Sequence, residues 1–94
     1  MLRSPRANLV ESDEGFSVEV LGRTGILYKE RDHVMFVDSE VLARSGIAVC
    51  KSTIQRWREP HQQEAVDEAK RAQILDNIRR TIVEFWGSEV EVME

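Results

Sequence analysis

Ninety-four residues bound this chain to one domain, and 41% hydrophobic with 32% charged residues excludes a disordered or membrane-embedded composition. A net charge of −4 argues against nucleic acid as a partner and favours a basic one. A single cysteine, Cys50, excludes an internal disulfide and fits a reducing compartment.

Residues 1–8 carry Arg3, Pro5 and Arg6 with little apolar content and read as a loose N-terminal arm, leaving residues 9–94 as the domain. The start lacks the apolar centre of a signal peptide, and no apolar run is long enough to span a bilayer. The expected location is therefore the cytoplasm, with no membrane partner. Leu9 and Val10 lead in, and residues 11–15 form a polar turn. Residues 16–21 alternate, with Phe16, Val18 and Val20 on one face, as in a strand buried on one side. After Gly22 and Gly25 comes a second strand, residues 26–29, with Ile26 and Tyr28 on one face. The charged turn Glu30, Arg31 and Asp32 predicts a hairpin with the next strand, residues 33–37. That strand sets Val34 and Phe36 against Met35 and Val37, and it has room to run to Leu42 before a turn at Ser45 and Gly46. Residues 47–51 are a further strand. In residues 52–57 the apolar members Ile54 and Trp57 suit a helical turn and a bent strand equally. Pro60 ends the segment, and residues 61–66 are a polar linker.

Residues 67–87 predict one amphipathic helix of about five turns. At about 100° per residue, Ile74, Leu75, Ile78, Ile82, Phe85 and Trp86 fall within an arc of about 120°, with Gln73, Asn77, Arg80 and Glu84 opposite. Asp67 can cap the start, and Gly87 can close the end in the left-handed conformation. Asp76 and Arg80 are placed to pair one turn apart. A last strand follows, setting Val90 and Val92 against Glu89 and Glu91. With no second long helix, the stripe needs a sheet as its partner. The expected fold is α+β: a mainly antiparallel sheet of about five strands, one long helix packed on one face, and a final strand returning beside an earlier one.

The catalytic search is short. His33 lies within a strand and His61 follows a proline, so they read as residues of different environments. No H-E-x-x-H, C-x-x-C, G-x-S-x-G, P-loop or G-x-G-x-x-G occurs, so no metal, cofactor or nucleotide is expected and the protein reads as a non-enzyme. Cys50, in I-A-V-C-K, reads as a small buried residue rather than a nucleophile. The stretch Gly22-Arg23-Thr24-Gly25 resembles the backbone clamp of an RNA-binding KH module, but that clamp joins two helices and this one joins two strands. Trp57, in Q-R-W-R-E-P, admits two readings: an exposed anchor for a partner, or a ring covering one end of the core. The covering reading is preferred on the residues alone.

Several fragments together resemble a known family. They are Ser39-Glu40-Val41-Leu42, then Ser52-x-Ile54-x-x-Trp57-x-x-Pro60, then Ile74-Leu75-x-x-Ile78-Arg79-Arg80, and a closing Gly87 before Glu89-Val90-Glu91-Val92. This pattern, from about Gly25 to Val92, resembles immunity protein family 74 of bacterial polymorphic toxin systems. The departures are His61, where the family carries an aromatic residue, and the basic arm. The resemblance implies a small cytoplasmic α+β protein that neutralises a cognate toxin by stoichiometric binding, without turnover. An acidic chain suits a basic toxin, through electrostatic steering. On this reading two surfaces are candidates for the partner: Trp57, Arg58 and Glu59, and the acidic group Glu84, Glu89 and Glu91, with Glu94 extending it. The competing reading is a housekeeping protein-interaction module, a monomer or a weak homodimer that pairs sheet edges.

Overall fold

The computed structural model describes residues 2–43 and 46–93. Met1 of the expected arm, Ser45 of the expected turn and Glu94 of the acidic group lie outside the described residues. Seven strands form one sheet in the order of the chain: β1 (Leu2–Arg6), β2 (Leu9–Ser12), β3 (Phe16–Val20), β4 (Thr24–Glu30), β5 (His33–Val41), β6 (Ile47–Cys50) and β7 (Val90–Met93). The first six pair antiparallel with their chain neighbours, and β7 pairs parallel to β6, placing Ile47 beside Val90 and Val49 beside Val92. A parallel pair needs a long crossover. Here the crossover is helix α1 (Glu68–Arg80), continued by a wider π-helical turn over Thr81–Phe85. The class is the α+β layout expected, with seven strands rather than about five.

One of the added strands comes from the segment read as a loose arm. Leu2 to Arg6 form β1, which turns through Ala7 and Asn8 onto β2. Asn8 takes the left-handed conformation, φ 66°, that the tight turn needs and that its short polar side chain tolerates. Ion pairs join Arg3 to Glu11 on β2 and Arg6 to Glu19 on β3. The backbone ladder to β2 builds the strand, and these exposed pairs add little to it.

The core lies between the sheet and the helix. Phe16, Val18, Ile26, Tyr28, Met35, Val37, Ile47 and Val49 meet Ile74, Ile78 and Ile82, with Ile54 and Trp57 closing one end. Ile74, Ile78 and Ile82 are fully buried, each stabilising the fold by about 1.5–3 kcal/mol relative to an exposed side chain. The outward face of β5 carries Phe36, 43% exposed.

The expected stripe is displaced. Phe85 is exposed, whereas Asn77 and Thr81 are buried. On the same wheel Asn77 and Thr81 lie about 60° and 20° to the other side of Ile74. The buried arc therefore runs from Asn77 to Ile82, not from Ile74 to Trp86. Both polar side chains are satisfied: Asn77 Nδ2 donates to Tyr28 OH at 2.9 Å, and Thr81 Oγ1 donates to the Asn77 carbonyl at 2.8 Å. The second bond sits where the helix widens. A hydroxyl that bonds back to the preceding turn competes with the backbone ladder, and the wider turn carries Phe85 off the buried face.

The caps follow the sequence reading. The Asp67 carboxylate accepts from Lys70 N at 2.8 Å, and Gly87, at φ 67°, ends the helix with its N–H on the Val83 carbonyl. Arg80 pairs with Asp76 as expected and also reaches Glu14 in the turn between β2 and β3. Gly46 has φ 100°, and a Cβ there would lie 2.8 Å from the Glu89 carbonyl oxygen. That close approach lets the same carbonyl accept from Ile47 N at 2.9 Å, at the start of the β6–β7 pairing. On β7, at the end of the sheet, Val90 packs against the core but Val92 is 40% exposed.

Candidate functional site

The richest chemistry lies at the end of the core closed by Trp57. Residues 52–57, left between turn and strand by their spacing, follow a strand that ends at Cys50 rather than Lys51: a 3-10 turn covers Lys51–Thr53 and a loop continues to Trp57. Thr53 Oγ1 accepts from Asp38 N and donates to the Cys50 carbonyl, so the turn is tied to β5. Arg71 on the helix donates from Nε to the Ile54 carbonyl at 2.8 Å, and Arg58 N donates to the Val34 carbonyl at 2.7 Å. These bonds hold Trp57 between them, 4% exposed. The covering reading of Trp57 is the one its position supports. An exposed anchor at this residue is excluded by the burial of the ring.

Aromatic rings run from the core through Trp57 to the surface. Phe16 and Tyr28 stack at 6.0 Å between centroids, and Tyr28 and Trp57 at 6.3 Å. Trp57 and His33 meet nearly perpendicular with centroids 5.1 Å apart, and His33 stacks on His61 at 3.6 Å and 14° between planes. The Tyr28 hydroxyl accepts from Asn77 and donates to Glu30 Oε1 at 2.7 Å, and Glu30 pairs with Lys70 on the helix. Burial pushes the Tyr28 phenol up from its ordinary pKa. Burial also raises Glu30, but bonds from Lys70 and Tyr28 outweigh it and hold the carboxyl below its ordinary value.

His33 and His61, read from sequence as belonging to different environments, are therefore in contact. The β4–β5 turn carries Asp32, β5 opens on His33, and the loop after Pro60 carries His61 and Glu64. Two carboxylates bracket the stacked pair. Glu64 lies 2.9 Å from His33 Nε2 and 2.8 Å from His61 Nδ1, while Asp32 lies 2.9 Å from His33 Nδ1 and 3.5 Å from His61 Nε2. Hydrogen bonding to Glu64 raises the His33 pKa against the effect of burial, with Asp32 adding to the rise. The reciprocal bonds hold Asp32 and Glu64 below the ordinary carboxylate range. Asp32, His33 and His61 bring one ligand-type atom each within 4.8 Å of the others. The expectation that the chain lacks a metal-ligand set rested on motif spacing, and this group has no such spacing because two separate turns assemble it. The signal available in the sequence was weak: two histidines each within three residues of an acid.

Beside this cluster is a cleft of about 570 Å³ between the β4–β5 turn and the start of α1. Glu14, Glu30, Asp32 and Glu64 line it against Arg31 and Lys70, an acidic balance. The other residues singled out by sequence lie apart from it or at its margin. Arg58 and Glu59 are exposed on the loop that follows Trp57. Glu84 is exposed on the π-helical turn, and Glu89 and Glu91 are exposed before and within β7. Cys50 is half-buried, with Sγ 3.4 Å from Ser52 Oγ. Gly22 and Gly25 flank the β3–β4 hairpin turn, where Leu21 N donates to the Gly25 carbonyl at 3.0 Å. Among the described residues no helix is long and apolar enough to cross a membrane.

The sequence matches the family model of Immunity protein 74 over residues 17–91. A comparison with curated proteins and with solved structures finds no match. The match spans β3 to the first residues of β7 and includes the Trp57 loop and the whole helix. The chain belongs to the Immunity protein 74 family.

Proposed function

We propose that this protein binds and neutralises a cognate bacterial polymorphic toxin in the cytoplasm, by stoichiometric contact and without turnover. Family membership carries this reading. The surface supports it. A chain of net charge −4 attracts a basic partner over a distance set by ionic strength. Two contact surfaces are proposed. One is the acidic group Glu84, Glu89 and Glu91 about the end of the helix and β7. The other is the Arg58–Glu59 turn next to the acidic cleft. Trp57 is left out of the contact because its ring is buried, and its part is to hold that turn in place.

The test is the gene beside this one. Its product, expressed alone, should arrest growth, and co-expression of this protein should restore it. The two proteins should purify together in equal amounts. Normal growth with the neighbouring product alone, or rescue without a complex, overturns the proposal.

A second reading has its own observation. The sheet ends in β1 and β7, whose outer edges have no strand beside them among the described residues. Such edges suit a homodimer of a non-catalytic interaction module. A concentration-dependent dimer in sedimentation, disrupted by a proline at Glu91, supports that reading. A monomer at all concentrations opposes it.

A further inference from the structure

His33 and His61 present four ring nitrogens, and each faces a carboxylate oxygen of Asp32 or Glu64. A neutral imidazole has one N–H and one lone pair. Two neutral rings thus supply two donors for four contacts. When Glu64 accepts from both rings, the lone pairs of His33 Nδ1 and His61 Nε2 turn together toward Asp32, which is itself an acceptor. A proton on His33 Nδ1 answers its 2.9 Å contact with Asp32 but leaves the His61 Nε2 lone pair facing the same carboxylate at 3.5 Å, and protonating both rings stacks two cations 3.6 Å apart. A divalent cation held between Asp32 and these two nitrogens removes the remaining conflict with both rings neutral.

The geometry points to a transition-metal site formed by His33 Nδ1, His61 Nε2 and the Asp32 carboxylate. One ligand-type atom from each of these residues lies within 4.8 Å of the other two, before any ion draws them together. Glu64 then has the role that carboxylates commonly have behind metal-bound histidines: it accepts the remaining N–H of each ring and fixes which nitrogen faces the ion. Two imidazoles and one carboxylate suit Zn²⁺, Ni²⁺ or Cu²⁺, whereas Mg²⁺ and Ca²⁺ prefer sites made wholly of oxygen. Three protein ligands leave a fourth tetrahedral position. It opens to solvent, since the Asp32 side chain is 78% exposed. Metal–nitrogen bonds of about 2.0–2.1 Å directed along the ring planes require the parallel rings to fan apart. His61 is on a loop and His33 is wedged against Trp57, so His61 is the ring that swings. The ion then pins the loop after Pro60 to the β4–β5 turn, beside the acidic cleft. This inference stands on the geometry of the cluster and does not depend on the toxin reading.

The test uses the full chain after chelator treatment, titrated calorimetrically with ZnCl₂, with MgCl₂ as control and Co²⁺ as the spectroscopic probe. One Zn²⁺ per chain is expected, with a saturable rise in melting temperature, no response to Mg²⁺, and Co²⁺ absorption typical of a tetrahedral nitrogen–oxygen site. The imidazole proton resonances should lose the mutual ring-current shift of the stack. Asp32→Ala, at an exposed turn, should keep the parent fold and lose saturable binding at the parent's working concentration, as should His61→Ala. Glu64→Gln should still bind one ion, about 10–100-fold more weakly. Absence of saturable Zn²⁺ binding by the parent, or binding that survives unchanged in both Asp32→Ala and His61→Ala, overturns the site.

Discussion

The helix–sheet layer and the histidine–carboxylate cluster meet at Trp57, and they are held by opposite means. In the layer, Ile74, Ile78 and Ile82 lose all contact with water against the sheet. Each such contact is non-directional and adds to the others. In the cluster, Asp32, His33, His61 and Glu64 stay partly in water and depend on which nitrogen faces which oxygen. Area holds the first region and charge balance the second. Mutation should therefore grade smoothly with lost volume in the layer, and depend on partner identity in the cluster.

Ile78→Asp should have the largest effect. It places an unpaired carboxylate at the centre of the buried arc, at a cost of more than about 4 kcal/mol, and the domain should be unfolded by circular dichroism. A cooperative melt near the parent's would break the comparison at its apolar end. Trp57→Ala comes next, at about 3–5 kcal/mol in chemical denaturation, because the ring closes the core. It should also release His33 from its edge contact, so the His33–His61 stack should loosen in the imidazole proton spectrum. A destabilised variant with an intact stack would show that the two regions are independent.

Tyr28→Phe sharpens the comparison from within the core. It removes one hydroxyl that Asn77 and Glu30 both use, and it leaves the Asn77 amide buried without that partner. A loss of about 1–3 kcal/mol is expected from urea unfolding. No measurable loss would mean that the buried polar link adds nothing to the apolar layer. Arg80→Ala, on the helix flank, should cost only about 0.2–1 kcal/mol despite its contacts with Glu14 and Asp76, since those pairs remain wet.

Paired Glu89→Lys and Glu91→Lys should leave the melt within about 0.5 kcal/mol of the parent. Their effect is expected in binding: slower association with a basic toxin and a flatter dependence on salt. Kinetics on an immobilised toxin across a salt series measure both. Association equal to the parent's would move the contact away from β7.

The same division explains what was legible from sequence. Alternation in Phe16, Val18 and Val20 and in Ile26 and Tyr28 marked β3 and β4, because strands buried on one face repeat every second residue. Asp67 and Gly87 marked the helix ends, because capping is local chemistry. The arm was read as loose because β1 is held by its backbone ladder to β2 and carries exposed Arg3 and Arg6 paired to acids, and hydropathy records neither. Asn77 was assigned outward because a wheel knows polarity but not that Tyr28 OH waits opposite. The cluster was missed for a related reason: His33 and His61 acquire their meaning only when the chain turns at Arg31 and loops past Trp57. Trp57 itself was readable as a cover, though its place beside His33 was not.

The parallel joint between β6 and β7 has a consequence in time. Strands β2 to β6 each pair with the preceding strand, so their contacts close over short loops. The β6–β7 contact must wait for the whole stretch from Cys50 to Val90, and contacts of such sequence separation form late because their loop entropy comes first. During synthesis the six-stranded meander can assemble while β6 is still an open edge and the inner face is uncovered. The carboxyl-terminal residues then seal both together, since the helix that covers the face also delivers the strand that covers the edge. A ribosome that stops just short of Val90 leaves a chain with all of its hairpins and an exposed template for pairing with another copy of itself.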